Sequence, residues 1–164
     1  MLKHQTMDTP VGPLTIVVSS AGAVRAAGFT DEVGELLCLI HPALLEEAEP
    51  ADDIGPVTGQ VRSYFDGDRG ALGAVPVEQW AGGEFMRHAW QVMREIKPGS
   101  PVTYSEFARL SGRPAAIRAA AAACARNPVA PFTPCHRVLR LDGSLGGYRW
   151  GLTVKRWLLD YEAA

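Results

Sequence analysis

The sequence predicts an α/β chain in two parts, a small N-terminal α/β domain over residues 1–82 and a mainly helical C-terminal domain over residues 83–164. Three observations predict it. Short apolar runs bounded by Gly and Pro fill the first half, helical periodicity fills the second, and the charge divides the same way. Residues 1–86 hold 4 Lys+Arg and 13 Asp+Glu, a net −9, whereas residues 87–164 hold 12 and 5, a net +7. A half at +7 points to an anionic partner for that half alone. Gly82-Gly83 is the hinge.

The N-terminal elements follow from local chemistry. Thr9-Pro10-Val11-Gly12-Pro13 is a turn, Leu14 to Val18 a strand, and Val24 to Phe29 its hairpin partner across the turn Ser19 to Gly22. Residues 31–45 read as a helix, with Val33, Leu36, Leu37 and Ile40 on one face. The acidic stretch Glu46 to Gly55 reads as a loop, Gly59 to Phe65 as a short helix or strand, and Ala71 to Val77 as another strand.

The C-terminal elements are helices. Phe85, Ala89, Val92, Met93 and Ile96 recur at helical spacing, and Pro98-Gly99 ends that helix. Thr103-x-x-Glu106 is a capping-box pattern ahead of Phe107, Ala108 and Leu110. Pro114 suits the first position of the next helix, which runs to about Arg126 before Asn127-Pro128. The pair, joined by a tight turn, resembles a helix-turn-helix. The last helix carries Val154, Trp157, Leu158 and Tyr161 on one stripe.

Composition narrows the function classes. With 47% hydrophobic and 21% charged residues, the 164-residue chain can bury a core. No apolar run nears the roughly 20 residues of a membrane span, and no apolar signal core follows Met1, so neither a membrane role nor secretion is expected. Three cysteines form no framework, which points to a reducing cytoplasm. Cys38-x-x-His41 lacks a second ligand pair, so no metal is expected, and Cys38 and Cys124 read as core residues.

Two segments carry chemistry. The helix Ala115 to Ala125 is nearly all alanine with one early cation, Arg118. Helix propensity and close packing explain the alanines; a thin helix that lies close to a nucleic-acid backbone also does. The second segment is Pro134-Cys135-His136-Arg137-Val138. A thiol becomes a nucleophile when cations, a histidine or a helix N-terminus favour its thiolate, and Cys135 has His136 and Arg137 adjacent and Arg140 close behind. On a strand Cys135 and His136 would point to opposite faces, so direct adjacency requires a turn, a helix or a bridging water. The imidazole needs a carboxylate, and Glu162 follows Val154 and Leu158 at i+4 steps. A buried cysteine beside a surface histidine is the alternative for such a dipeptide.

From Asn127-Pro128 through Val138 the chain resembles the O6-alkylguanine-DNA alkyltransferases. The likeness includes Thr9-Pro10-Val11-Gly12-Pro13-Leu14, Tyr64-Phe65-x-Gly67, Phe85, Trp90, Pro98-Gly99, Thr103-Tyr104 and Arg118. It continues through Gly143, Gly147-Tyr148, Gly151, Lys155, Leu158-Leu159 and Glu162, covering nearly the whole chain. The resemblance implies a ribonuclease H-like N-terminal α/β domain and a C-terminal domain whose helix-turn-helix binds the minor groove of double-stranded DNA, largely without sequence preference. It implies direct-reversal repair, in which the alkyl group of O6-alkylguanine, and more weakly of O4-alkylthymine, passes irreversibly to Cys135 after base flipping, once per molecule and without a cofactor.

By the same resemblance, Tyr104 crowds the target phosphate and Arg118 fills the vacated space, with Ala119 and Arg126 completing the DNA-binding set. Asn127 braces the active-site turn, His136 is the water-linked base, Glu162 its partner, and Tyr148 hydrogen-bonds guanine N3. Val138, Arg149 and Trp150 line the substrate pocket. The chain departs from the family at Trp150, where a small residue is usual, at Arg149, and at Ala120-Ala121 in place of Val-Gly. No cysteine precedes Cys38, so the N-terminal zinc of some members is not expected, nor is the phosphotriester-sensing domain of adaptive-response members. A monomer in solution is expected. Two other functions compete: a lesion-binding protein without transfer, which in the family has Trp in place of the cysteine, and a Cys-His hydrolase, which would leave Arg118 and the basic half without a purpose.

Overall fold

The computed structural model describes all 164 residues. They divide into two units, one of Met1–Trp80 with Pro128–Phe132, the other of Ala81–Asn127 with Thr133–Ala164. The first unit therefore includes five residues that follow Asn127, just past Arg126, where the sequence places the end of the alanine helix.

The first unit is built on a four-stranded sheet in the order β3-β2-β1-β4. Strands β1 (Leu2–Thr9), β2 (Gly12–Val18) and β3 (Val24–Gly28) form an antiparallel meander, and the short β4 (Ala48–Pro50) runs parallel to β1. The central strand β2 is buried from Leu14 to Val18, consistent with its unbroken apolar run. The tight β1–β2 turn requires Gly12, whose φ is +107°. Inside the sheet a hydroxyl relay satisfies the buried Thr15, which donates to Thr30 O at 2.6 Å and accepts from Thr6 at 2.7 Å. Val129 bridges to Ala27, and Ala27 N–H donates to Pro128 O at 2.9 Å.

Several N-terminal expectations are corrected. Strand β1 was not expected, because of its eight residues only Leu2 is fully buried. The helix read over 31–45 is a single turn, α1 (Gly34–Leu37). Its apolar residues still face inward at Leu36 and Ile40, but Pro42 prevents further helix. Of the helix or strand expected at Gly59 to Phe65 the helix forms, α2 (Val57–Phe65), whereas Ala71–Ala74 form a 3₁₀ turn in place of the expected strand. Cys38 is exposed rather than in the core, with its thiol directed at Glu35 O. His41 Nδ1 accepts from Ala43 N–H.

The second unit packs α3 (Glu84–Arg94), α4 (Tyr104–Leu110), α5 (Ile117–Ala125) and α6 (Leu152–Ala163) around Trp90, Met93, Phe107 and Leu158. A two-stranded parallel pair, β5 (Val102–Thr103) and β6 (Val138–Leu139), flanks them. Helix α5 begins at Ile117, three residues later than Pro114 suggests. Its alanines serve close packing: Ala120 and Ala123 are fully buried, and Trp90 Nε1 donates to Ala123 O at 2.9 Å. Half of the capping box forms. Thr103 Oγ1 accepts from Glu106 N–H at 3.1 Å, but the Glu106 carboxylate turns to Arg109 instead of reaching back. Removing that cap in Thr103→Ala costs about 1 kcal/mol, which lowers the melting temperature by roughly 2–4 °C. Thermal unfolding of the two proteins at equal pH measures it.

Candidate active site: a buried cysteine, histidine and glutamate

Residues Cys135–Arg137 form one 3₁₀ turn entered through Pro134 and followed directly by β6. Cys135 is 8% exposed, and His136 is fully buried. In a 3₁₀ turn successive side chains diverge by about 120°, so three neighbours in sequence face three directions. His136 Nε2 lies 3.0 Å from Glu162 Oε2. Arg137 forks onto the same carboxylate, Nε to Oε1 at 2.8 Å and Nη2 to Oε2 at 2.9 Å, while its Nη1 donates to Ile96 O at 2.7 Å. The end of α6 comes close enough for this because Gly99 carries no side chain; a Cβ there would lie 2.9 Å from Glu162 O.

The electrostatics assign protons. Burial raises the Glu162 carboxyl, but the hydrogen bonds from Arg137 and His136 outweigh it and hold the group well below the usual carboxylate range. Burial holds His136 below its ordinary 6.5 despite the pull of Glu162. The imidazole is therefore neutral at pH 7. Glu162 has no proton to give, so Nε2 carries the hydrogen and Nδ1 is the basic nitrogen. Nδ1 is buried and makes no hydrogen bond within the protein.

Cys135 is pushed up by burial, opposed by a hydrogen bond from Asn127, the charge of Lys155, a backbone hydrogen bond and the charge of Arg149. Asn127 Nδ2 also donates to Thr133 O at 2.7 Å, fixing the backbone two residues before the cysteine. The cations acting on the thiol are thus not the two that adjacency suggests. Arg137 is engaged by Glu162. Lys155 is the residue that sequence reasoning passed over, naming it without a role. It is fully buried, and its ammonium donates to Val138 O, Leu145 O and Gly147 O, with no carboxylate partner. The signal was its spacing: Lys155, Leu158, Leu159 and Glu162 share one face of α6.

The other expected site residues are placed as follows. Tyr148 is half-buried, its ring edge-on to His136 at 6.5 Å. Tyr104 starts α4; burial pushes its phenol up to about 12, so it stays protonated. Its hydroxyl lies against Gly146, where a Cβ would come within 3.1 Å. Arg118 and Ala119 are exposed at the start of α5, and Arg126 is exposed at its end. Val138 is fully buried on β6. Trp150 is half-buried, and Arg149 is exposed, with Nη2 donating to Ala125 O at 2.8 Å. Cys124 is half-buried on α5.

A family model described as 6-O-methylguanine DNA methyltransferase, DNA binding domain, matches residues 84–164, which include every one of these residues. A methylated-DNA–protein-cysteine methyltransferase of Shigella flexneri is 31% identical over 164 residues, covering 98% of this chain and 95% of its own. The chain belongs to the methylated-DNA–protein-cysteine methyltransferases. Solved structures agree with this membership. The Mycobacterium tuberculosis O6-methylguanine methyltransferase R37L variant matches with a TM-score of 0.78 at 28% identity, over 100% of this chain and 94% of that one. A Mycobacterium tuberculosis relative in complex with DNA matches at 0.79 and 27% identity, over 98% and 92%.

For a methyltransferase of this family, the carboxylate grip is testable as a stability element. Glu162→Gln leaves the buried Arg137 without a counter-charge and costs about 3–5 kcal/mol at pH 7. Because Glu162 has a folded-state value below its ordinary 4.5, its contribution is complete above that pH and lost as pH falls through the lowered value. Urea unfolding from pH 7 downward therefore shows the gap between wild type and variant closing only in acid.

Proposed function

We propose that this chain repairs duplex DNA by taking the alkyl group of O6-alkylguanine, and more weakly of O4-alkylthymine, onto Cys135 Sγ in one irreversible step. The observation that carries this reading is the neutral His136, held by Glu162 through Nε2, with a bare buried Nδ1 on the residue next to a buried thiol. That arrangement is a base waiting for one proton.

The target carbon is out of reach inside a base stack, so the nucleotide turns out of the helix first. Tyr104 at the head of α4 displaces the phosphate, and Arg118 enters the space left behind. Arg118, Ala119 and Arg126 lie exposed along α5, and the small alanines let the helix enter a minor groove only about 6 Å wide. Contact is chiefly with the backbone, so binding is largely independent of sequence.

In the reaction, the Cys135 proton passes to His136 Nδ1, directly or through one water. Glu162 stabilises the imidazolium, and Asn127 and Lys155 stabilise the thiolate. Sulfur attacks the alkyl carbon, the C–S bond forms and the C–O6 bond breaks. The departing guanine accepts a hydrogen bond at N3 from Tyr148 and ends with the proton that the thiol lost. The thioether has no leaving group, so each molecule acts once.

Intact mass after mixing with a duplex carrying one O6-methylguanine tests this. The protein gains one CH₂ unit, saturating at one equivalent, and Cys135→Ser gains nothing. Tight binding without a mass change would make the chain a lesion sensor instead.

A further inference from the structure

We propose that Arg149 is a positioning residue that ties the substrate-pocket loop to the helix bearing Arg118, an inference that rests on the transfer reading above. It starts from the end of α5. A helix leaves its last four carbonyls without intrahelical partners. Here all four are satisfied. Ala122 O accepts from Arg126 N–H at 2.9 Å, Ala123 O from Trp90 Nε1 at 2.9 Å, and Cys124 O from Asn127 N–H at 3.4 Å. Ala125 O accepts from Arg149 Nη2 at 2.8 Å. The C-cap residue Arg126 is exposed, and the side-chain donor that reaches the last helical carbonyl comes from another segment.

That segment is the loop 145–150. Lys155 fixes its start through Leu145 O and Gly147 O, joining it to β6 through Val138 O. Arg149 fixes its end to α5. Tyr148 and Trp150 flank Arg149, so the pocket wall moves with the helix whose first turn presents Arg118. Transfer from a duplex needs both in register, one side chain filling the stack while the other residues hold the base. Misplacement of about 1 Å costs such a reaction heavily. A free nucleobase needs the pocket alone, so any effect of Arg149 on the pocket or on the Cys135 thiol enters both reactions and cancels in their ratio.

The readout is the ratio of single-turnover transfer rates from an O6-methylguanine duplex and from the free O6-methylguanine base. In Arg149→Ala that ratio falls about three- to ten-fold, the range that one net hydrogen bond spans. Arg149→Lys recovers at least half of the loss, because an ammonium also donates to a carbonyl and complements a helix end. Circular dichroism and an unchanged melting temperature report that the variant is folded. An unchanged ratio overturns the inference, as does Arg149→Lys behaving like Arg149→Ala. A drop in affinity for undamaged duplex, with the salt slope reduced by about one, overturns it too, since that marks a phosphate contact. If wild type transfers from neither substrate, the transfer reading itself fails and the coupling falls with it.

Discussion

A carboxylate without access to water must be matched by hydrogen bonds from every side, and Glu162 is matched by three. Arg137 supplies two in a fork and His136 the third. The cost of burying charge makes the arrangement all-or-nothing, since any one partner alone would be destabilising. It binds the last helix to the cysteine turn. It also dictates where the histidine keeps its proton, because an ionised Glu162 accepts only from a donor. The bare Nδ1 is therefore a consequence of a structural ion pair formed on the far side of the ring.

Lys155 is the second constraint. Its three carbonyl acceptors bring strand β6 and the loop 145–147 to one point, and its charge has no carboxylate beside it. Burial lowers its pKa, and thiolate on Cys135 opposes that fall. The ammonium and the nascent thiolate thus favour each other. Burial dominates in the resting protein, so the thiol keeps its proton. A buried thiol that keeps its proton is less reactive than an exposed thiolate.

The placement of Cys135, His136 and Glu162 was legible in the sequence for definite reasons. Pro134 sets a turn, Cys135 and His136 follow it, and Glu162 sits at i+4 steps from Val154 and Leu158. Arg137 was read for the wrong partner because adjacency in sequence says nothing of direction in a 3₁₀ turn. Lys155 was given no role because a lysine on a helix ordinarily reaches water, although its spacing with Glu162 held the information. In the first unit, β1 escaped notice because its alternation is mostly polar, and α1 was overextended because apolar spacing outweighed Pro42. The excursion of Pro128–Phe132 into the first unit is a tertiary event that no local pattern records.

The histidine's proton is the most direct point of test. Long-range ¹H–¹⁵N correlation on ¹⁵N-labelled protein reports the tautomer and charge of His136 as pH is lowered. A neutral ring protonated on Nε2 at pH 7, gaining its second proton only below its ordinary 6.5, is the predicted result. An imidazolium at pH 7, or a neutral ring carrying its proton on Nδ1, would contradict the account, because neither leaves a nitrogen able to take the proton from Cys135.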